Sequence, residues 1–417
     1  MKRIAIVTPY GAEPRLDNYA EFILAQNLVE KGYEVRFFTY RSQKAEYVKD
    51  AVYKGVSVFR CRQRFGISPR LFVSLILFRP HTVLCFHPKS LLNFSAYLAA
   101  RAIRTRFIVE IVGILHDPFI ARDIDDPIDT LISPPVLITS VPALLKQLLS
   151  GNRSAWNNYV CHAPTAHADT IIAINRHEQE YVKSIYGRSA ALIYWCTPQT
   201  RVHDQHEPAI ESGKLPDDFL FFIGQVKRRK GWDTVIDALA SLKQRGVIKN
   251  LVFVSPHTDL HVPIEYAAER GVRDQITFLS AVSNEEKEWL YAHCSYVLVP
   301  SRYEGFGLPV FEAFLAEKPI CASDIPVFDE FLVHRKNAMI SHVGDGNGLA
   351  DSILALDASS ALVHTLIKEG TRTAAQFDYE RMVSEYLALI DGDVDSLLSS
   401  PAQGRLGRVQ SDKKVLP

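Results

Sequence analysis

The sequence is poor in cysteine, methionine and tryptophan, with six, three and four among 417 residues. The cysteines at 61, 85, 161, 196, 294 and 321 form no CxxC and no Cys/His ligand spacing. That excludes a disulfide framework and a structural zinc site, and places free thiols inside apolar runs such as Val83-Leu84-Cys85-Phe86. Long hydrophobic runs are missing too. The longest candidate, Leu71 to Phe78, ends at Arg79-Pro80, far short of the roughly 20 residues a spanning helix needs. Ile4-Ala5-Ile6-Val7 is too short for a signal-peptide core and reads as a buried strand. Net charge is also absent, 47 Lys+Arg standing against 47 Asp+Glu, which argues against a uniformly basic nucleic-acid binder. These absences predict a cytoplasmic protein, at most docked peripherally on the inner face of a membrane.

What is present is an ordinary globular composition, 47% hydrophobic and 23% charged, in a length that suggests two domains of roughly 100–200 residues each. Short apolar runs alternate with amphipathic stretches, the pattern of βαβ units around parallel sheets. The first half predicts strands at 3–8, 33–39, 56–61, 82–86, 106–112, 169–174 and 190–195, with helices at 18–31, 89–104, 139–150 and 175–186. The second half predicts strands at 218–223, 250–255, 275–279, 296–299 and 319–322, with helices at 231–246, 283–293 and 308–317. The pattern breaks among Pro198, Pro208, Gly213 and Pro216. The expected organisation is α/β: a Rossmann-like domain over 1–205, a linker over 206–217 and a second Rossmann-like domain over 218–376. One continuous helical pattern covers 359–390, its end (377–393) returning to the first domain, and 394–417 reads as a disordered tail.

The stretch Pro300-Ser301-Arg302-Tyr303-Glu304-Gly305-Phe306-Gly307-Leu308-Pro309-Val310-Phe311-Glu312 follows a buried strand and opens a helix. Pro309 suits the first helical turn, where its missing N–H costs nothing. Gly305 and Gly307 let the backbone bend and approach a ligand, so the N–H groups of 306–308 present a positive helix end suited to phosphate or diphosphate. Glu304 and Glu312 are too far apart for the roughly 5 Å of a retaining glycosidase pair and read as separate recognition groups. The plain alternative is two solvated glutamates beside an ordinary strand–helix turn. A second basic loop, Gly224-Gln225-Val226-Lys227-Arg228-Arg229-Lys230-Gly231, also follows a strand. Cations at a helix start oppose the dipole unless an anion binds there.

These residues resemble the retaining glycosyltransferases of family 4, which have the GT-B architecture of two Rossmann-like doubly wound domains facing a central cleft. Their hallmark is two glutamates around a Glu-Gly-Phe-Gly-Leu-Pro core, as in Glu304 to Glu312. The resemblance implies that Glu304 contacts the donor sugar, that Glu312 holds the nucleotide ribose, and that Gly305, Phe306, Gly307 and Leu308 bind the diphosphate. It implies that Lys230 neutralises the diphosphate, and Gln225 stands where the family has an arginine; the residues of the loop themselves still supply Lys227, Arg228 and Arg229 as cations beside it. Ala168-Asp169-Thr170-Ile171-Ile172-Ala173-Ile174-Asn175 is similar to a first-domain strand of the family. His116 lies where relatives carry a histidine that reaches the donor sugar; a loop histidine bonding backbone is the alternative. Two departures stand in the first domain: Leu16-Asp17-Asn18-Tyr19 replaces a Gly-Gly pair, with Asn18 and Glu21 as a possible capping box, and Trp195-Cys196-Thr197-Pro198 replaces Asn-Gly-x-Asp.

No nucleophile motif is found, and Asp125-Asp126 lies in a polar loop without a strand. The resemblance therefore implies front-face retention, no metal and no cofactor, with a UDP- or GDP-linked sugar as donor and a polysaccharide or lipid-linked acceptor. The rivals are a sugar-nucleotide epimerase, a phosphorylase, or a non-catalytic sugar-nucleotide-binding subunit. One further feature concerns the acceptor: from Ala51 to Val109 there is no Asp or Glu but ten Lys/Arg. Arg60, Arg62, Arg64, Arg70 and Arg79 frame an apolar stretch, which predicts docking of 60–79 on an anionic membrane surface; a core helix with solvated flanks is the alternative. No nucleic-acid motif accompanies the charge.

Overall fold

The computed structural model describes residues 2–9, 20–40, 50–62, 67–88, 90–112, 137–196, 206–209, 215–256, 259–280 and 282–393. His116, Asp17-Asn18, Asp125-Asp126 and the tail 394–417 lie outside them. The described chain divides into two compact units, one up to Cys196 together with the last helix, the other from Thr197 to Asp378.

The first unit runs β1 (Arg3–Val7), α1 (Ala20–Glu30), β2 (Glu34–Tyr40), β3 (Ala51–Tyr53), β4 (Val56–Cys61), α2 (Pro69–Phe78), β5 (Thr82–Phe86) and α3 (Leu91–Ile103). It continues with β6 (Arg106–Ile111), α4 (Val141–Leu149), α5 (Ala155–Ala166), β7 (Thr170–Ala173), α6 (Arg176–Tyr186) and β8 (Ala191–Leu192). The strands order β3-β4-β2-β1-β5-β6-β7-β8. All pairs are parallel except β3 on β4. β5 is buried at every residue, as expected of a strand covered by helices on both faces. Successive strands go to opposite sides of β1, so the switch point lies between β1 and β5.

The second unit runs β9 (Leu220–Ile223), α7 (Trp232–Gln244), β10 (Leu251–Val254), α8 (His261–Glu269), β11 (Ile276–Leu279), α9 (Asn284–His293) and β12 (Tyr296–Val299). Then follow α10 (Leu308–Leu315), β13 (Ile320–Ser323), β14 (Met339–Ser341), α11 (Gly346–Asp357) and α12 (Ser360–Ala374). The order β11-β10-β9-β12-β13-β14 is parallel throughout. Its switch point lies between β9 and β12, so the loops after those two strands meet at one place.

The expected single helix over 359–390 is two. α12 ends in a short 3₁₀ turn, Ala375–Phe377, and Asp378 is extended before α13 (Tyr379–Asp391) begins. The break turns Phe377 into an aromatic cluster with Phe306, Phe311 and Phe331, its ring 5.0 Å from that of Phe311. α13 belongs to the first unit, where Met382, Val383, Tyr386 and Leu389 join the core of Ile6, Phe22 and Leu84. Helices α5, α8 and α11 and strands β3 and β14 were not predicted. α5 contains Pro164, and α8 contains Pro263, which weaken a helical pattern.

Among the described residues no single helix is long and apolar enough to cross a membrane. In the 60–79 stretch Arg60 is buried, and Arg70 pairs with Asp50 and donates to the Arg60 carbonyl at 3.0 Å. The outward apolar residues of α2 are Val73 and Leu77, with Pro69 and Arg70 exposed at its start. The cysteines described are free and mostly buried, and burial pushes the Cys61 thiol up to about 11 and that of Cys294 to about 12.

Candidate active site

The switch point of the second unit is built by two loops that need each other. After β9 the chain passes through Gly224-Gln225-Val226-Lys227, makes a 3₁₀ turn at Arg228–Lys230 and enters α7 at Gly231. Gly231 is left-handed (φ +68°), and a Cβ there would lie 1.8 Å from the Pro300 carbonyl oxygen. Only glycine lets the two loops touch. The contact is then secured by Arg302, whose guanidinium grips Asp233 with two bonds of 2.6 and 2.8 Å and reaches the Arg228 carbonyl at 2.7 Å. The Arg302 N–H donates to the Arg229 carbonyl at 2.7 Å.

Lys230 and Glu304 come from these two loops, and the Lys230 Nζ lies 2.6 Å from the Glu304 Oε1. The side chains are 16% and 7% exposed. Ser301 Oγ donates to the same oxygen at 2.8 Å, leaving Oε2 without a hydrogen bond among the described residues. Burial alone pushes the Glu304 carboxyl up. Lys230 and Arg229 attract the charged form, and hydrogen bonds from Lys230 and Ser301 add to them, so the carboxyl is held below its ordinary value. Burial lowers Lys230 from its usual range, and Arg229 adds to this, while Glu304 and Glu312 oppose it. The pair stays ionised near neutral pH. Arg229 stands beside it, its Nε buried without a hydrogen-bond partner.

Above this pair begins α10. Its N-cap is Gly307 at φ +89°, where a Cβ would lie 2.6 Å from the Phe328 ring. No backbone carbonyl among the described residues accepts from the N–H groups of Phe306, Gly307 or Leu308. An uncapped helix N-terminus, a paired lysine and an unpartnered arginine suit an anion with several oxygens.

The remaining predicted residues divide. Gly305, Gly307 and Leu308 lie on the α10 approach, but the Phe306 ring turns inward, stacked 4.4 Å from Phe311, so only its backbone is available. Glu312 sits within the helix and is held by Lys287 at 2.5 Å and by the Tyr291 hydroxyl at 2.8 Å. Burial, then the charge of Glu312, pushes the Tyr291 hydroxyl far up. Gln225 is exposed, and His116 lies outside the described residues. Sequence reasoning missed Arg302, Ser301, Lys287 and Tyr291. Arg302 and Ser301 stood inside the quoted motif; Lys287 and Tyr291 carried no local signal.

The family profile described as Glycosyl transferases group 1 matches residues 205–373, and that described as Glycosyltransferase Family 4 matches residues 22–195. The chain belongs to glycosyltransferase family 4.

Other comparisons agree with that membership. An uncharacterized glycosyltransferase of Methanocaldococcus jannaschii is 24% identical over 219 residues, 52% of this chain and 58% of that protein. A D-inositol 3-phosphate glycosyltransferase of Nocardia farcinica is 29% identical over 173 residues, 38% of each chain. This family 4 chain thus spans little more than half of the first relative and less than half of the second. Among solved structures, sucrose-phosphate synthase of Thermosynechococcus elongatus superposes with a TM-score of 0.66 at 17% identity, over 95% of this chain and 100% of that one. Anabaena HepE in complex with UDP gives 0.64 at 16% identity, over 94% and 100%. These likenesses establish the GT-B fold.

Proposed function

We propose that the chain is a glycosyltransferase of the retaining, metal-independent kind. It moves a hexosyl group from a UDP- or GDP-linked sugar to a polysaccharide or lipid-linked acceptor. The observation that carries this reading is the buried Lys230–Glu304 pair, with Arg229 beside it, beneath the open N-terminus of α10. Lys230, Arg229 and the α10 N–H groups supply positive charge for a diphosphate, and that charge is most valuable when the diphosphate leaves. Glu304 accepts from a sugar hydroxyl through Oε2, a reading supported by Lys230 and Ser301 holding Oε1. In the step itself the anomeric carbon–oxygen bond to the diphosphate breaks, the acceptor oxygen bonds to the same face of that carbon, and its proton passes to the departing phosphate oxygen. No side-chain nucleophile is required. Glu312, held by Lys287 and Tyr291, is a preset acceptor for ribose hydroxyls. The Anabaena neighbour was solved with UDP, so UDP-sugars are the first donors to try.

The test is incubation with a panel of UDP- and GDP-sugars, reading slow donor hydrolysis and its acceleration by lipid or glycan acceptors. Turnover lost on Lys230→Gln supports the reading. Tight nucleotide-sugar binding without turnover under any acceptor would replace it with a non-catalytic binding subunit. Peripheral docking through 60–79 belongs to the same proposal and now rests on Val73 and Leu77; vesicle binding unaffected by Leu77→Ser together with Val73→Ser would remove it.

A further inference from the structure

The amino-terminal edge of the first sheet carries a separate concentration of positive charge. α2 and α3 end at Phe78 and Ile103, and each reaches its next strand through a short step beginning with arginine, three residues (Arg79-Pro80-His81) before β5 and two (Arg104-Thr105) before β6. Both arginines cap their helices in the left-handed conformation, at φ +47° and +53°. Glycine is the usual occupant of that position because a Cβ is strained there. Two arginines at equivalent caps therefore stand where the backbone favours glycine, and both line one cavity of 580 Å³.

The other polar walls of that cavity are His81, Thr105 and Arg106, and none of its lining residues is acidic. Neither the Arg79 nor the Arg104 guanidinium has an ion pair or a hydrogen bond among the described residues. Arg106 is held from behind, its Nη1 donating to the Leu389 carbonyl at 2.7 Å. His81 Nδ1 accepts the Arg3 N–H at 3.0 Å, so the neutral ring carries its proton on Nε2 as a donor. Acids on neighbouring elements are already engaged: Asp169 accepts from the Phe107 N–H at 2.7 Å and faces Arg101, and Asp391 pairs with Lys2. A helix C-terminus favours a cation, which accounts for one arginine at a time. It does not account for two strained arginines converging on a cavity without an internal anion.

We propose that this cavity binds a phosphate-type oxyanion, either free or as the phosphate of a phosphoester. Two guanidinium forks can grip the oxygens, with the His81 Nε2–H as a further donor. The site lies at the end of the sheet opposite the strand carboxyl ends, so it is no part of the switch point. It acts as an anchoring or regulatory site, and it does not rest on the glycosyl-transfer reading.

The decisive variant is Arg79→Gly with Arg104→Gly. Glycine relieves both left-handed caps, so the protein keeps or raises its melting temperature while losing the two guanidinium groups. The His81 ring resonance, assigned through His81→Gln in ¹³C-histidine-labelled protein, is followed while inorganic phosphate replaces chloride at constant ionic strength. A saturable shift in the parent protein, weakened at least tenfold in affinity in the double variant, is the expected result. Because His81 is read directly, phosphate taken up near Lys230 does not register. No saturable shift in the parent, or an equal one in the variant, overturns the proposal. A second arm assigns the source: cosedimentation with phosphatidate-containing but not phosphatidylcholine vesicles, lost in the variant, means a lipid headgroup. A phosphate-dependent His81 shift without such cosedimentation means a soluble phosphate or phosphoester.

Discussion

The two units share a doubly wound topology yet furnish their switch points with opposite chemistry. Between β9 and β12 the second unit gathers cations and leaves the α10 N-terminus open. Between β1 and β5 the first unit gathers carboxylates. Glu21, in the first turn of α1, is buried there, and its Oε1 lies 3.3 Å from the Thr8 hydroxyl and 3.2 Å from His87 Nε2. The α1 N-terminus thus already has its own anion, and an internal carboxylate at a helix start leaves little attraction for a bound phosphate. Behind it Glu110 accepts from the Trp195 indole at 2.7 Å and bonds the Tyr386 hydroxyl. Burial pushes the Glu110 carboxyl far above its ordinary value; the Trp195 bond opposes this, and the charges of Glu21 and Glu178 add to it. One sheet end presents cations and an open helix start, the other buried carboxyl groups. The same fold therefore does not impose the same ligand.

This contrast can be broken experimentally, and the strongest lever is Lys230. Lys230→Gln is expected to lower glycosyl transfer by on the order of 10²–10³-fold, the scale of losing one transition-state donor; circular dichroism should show the fold intact. Activity within a few-fold of the parent would remove cation chemistry from the second switch point. Next comes Gly231→Ala. Its Cβ cannot fit beside the Pro300 carbonyl, so the two loops must part, with a cost of several kcal/mol measurable as a lowered denaturation midpoint.

Arg229→Ala is expected to raise KM for the nucleotide sugar about tenfold, roughly the 1.4 kcal/mol of one charge-assisted bond, with a smaller change in kcat. A change confined to kcat would instead place Arg229 at the reacting centre.

The carboxylates sharpen the comparison through pH, because their shifts have opposite signs. Glu304 is held below the ordinary 4.5, so its contribution to stability is present above that value and is lost as pH falls through the folded-state pKa. Glu110 is raised; its contribution is complete below 4.5 and is lost as pH rises toward the folded-state pKa. Glu110→Gln should therefore flatten the decline in melting temperature as pH rises above 4.5, and Glu304→Gln should flatten the decline on the acid side. The smallest effect belongs to Glu21→Gln, which is expected to leave donor hydrolysis within about twofold, since the groups proposed to bind the donor lie in the second unit. A large loss there would mean that the first unit also handles the donor.

Much of the architecture was legible in the sequence, because alternation of apolar runs with amphipathic stretches is a local signal. The strands β1, β5 and β12 fell within a residue of their predicted spans for that reason. Helix α5 was not legible, since Pro164 and polar Asn157-Asn158 interrupt its pattern and its buried face is defined by packing on α3. The break before α13 escaped too, because the 359–390 periodicity continues through it, while the burial of Phe377 against Phe306 and Phe311 decides where the helix must turn. In the site, Glu304, Gly305, Gly307 and Lys230 were readable as a motif. The motif pointed to the backbone N–H of Phe306 and said nothing of its ring, which packs on Phe311, since sequence alone does not show which face of a loop is wet.

What the sequence by itself determined was the set of backbone conformations: glycine at 231 and 307, proline at the start of α10, and strands too apolar to lie anywhere but inside. Those follow from sterics and solvation of neighbouring residues. Only the tertiary structure decided which charges meet. Lys230 and Glu304 are 74 positions apart, and Glu110 and Tyr386 are 276 apart. Whether a carboxyl is held ionised or kept protonated depends on burial and on partners arriving through space, and no local pattern carries that information.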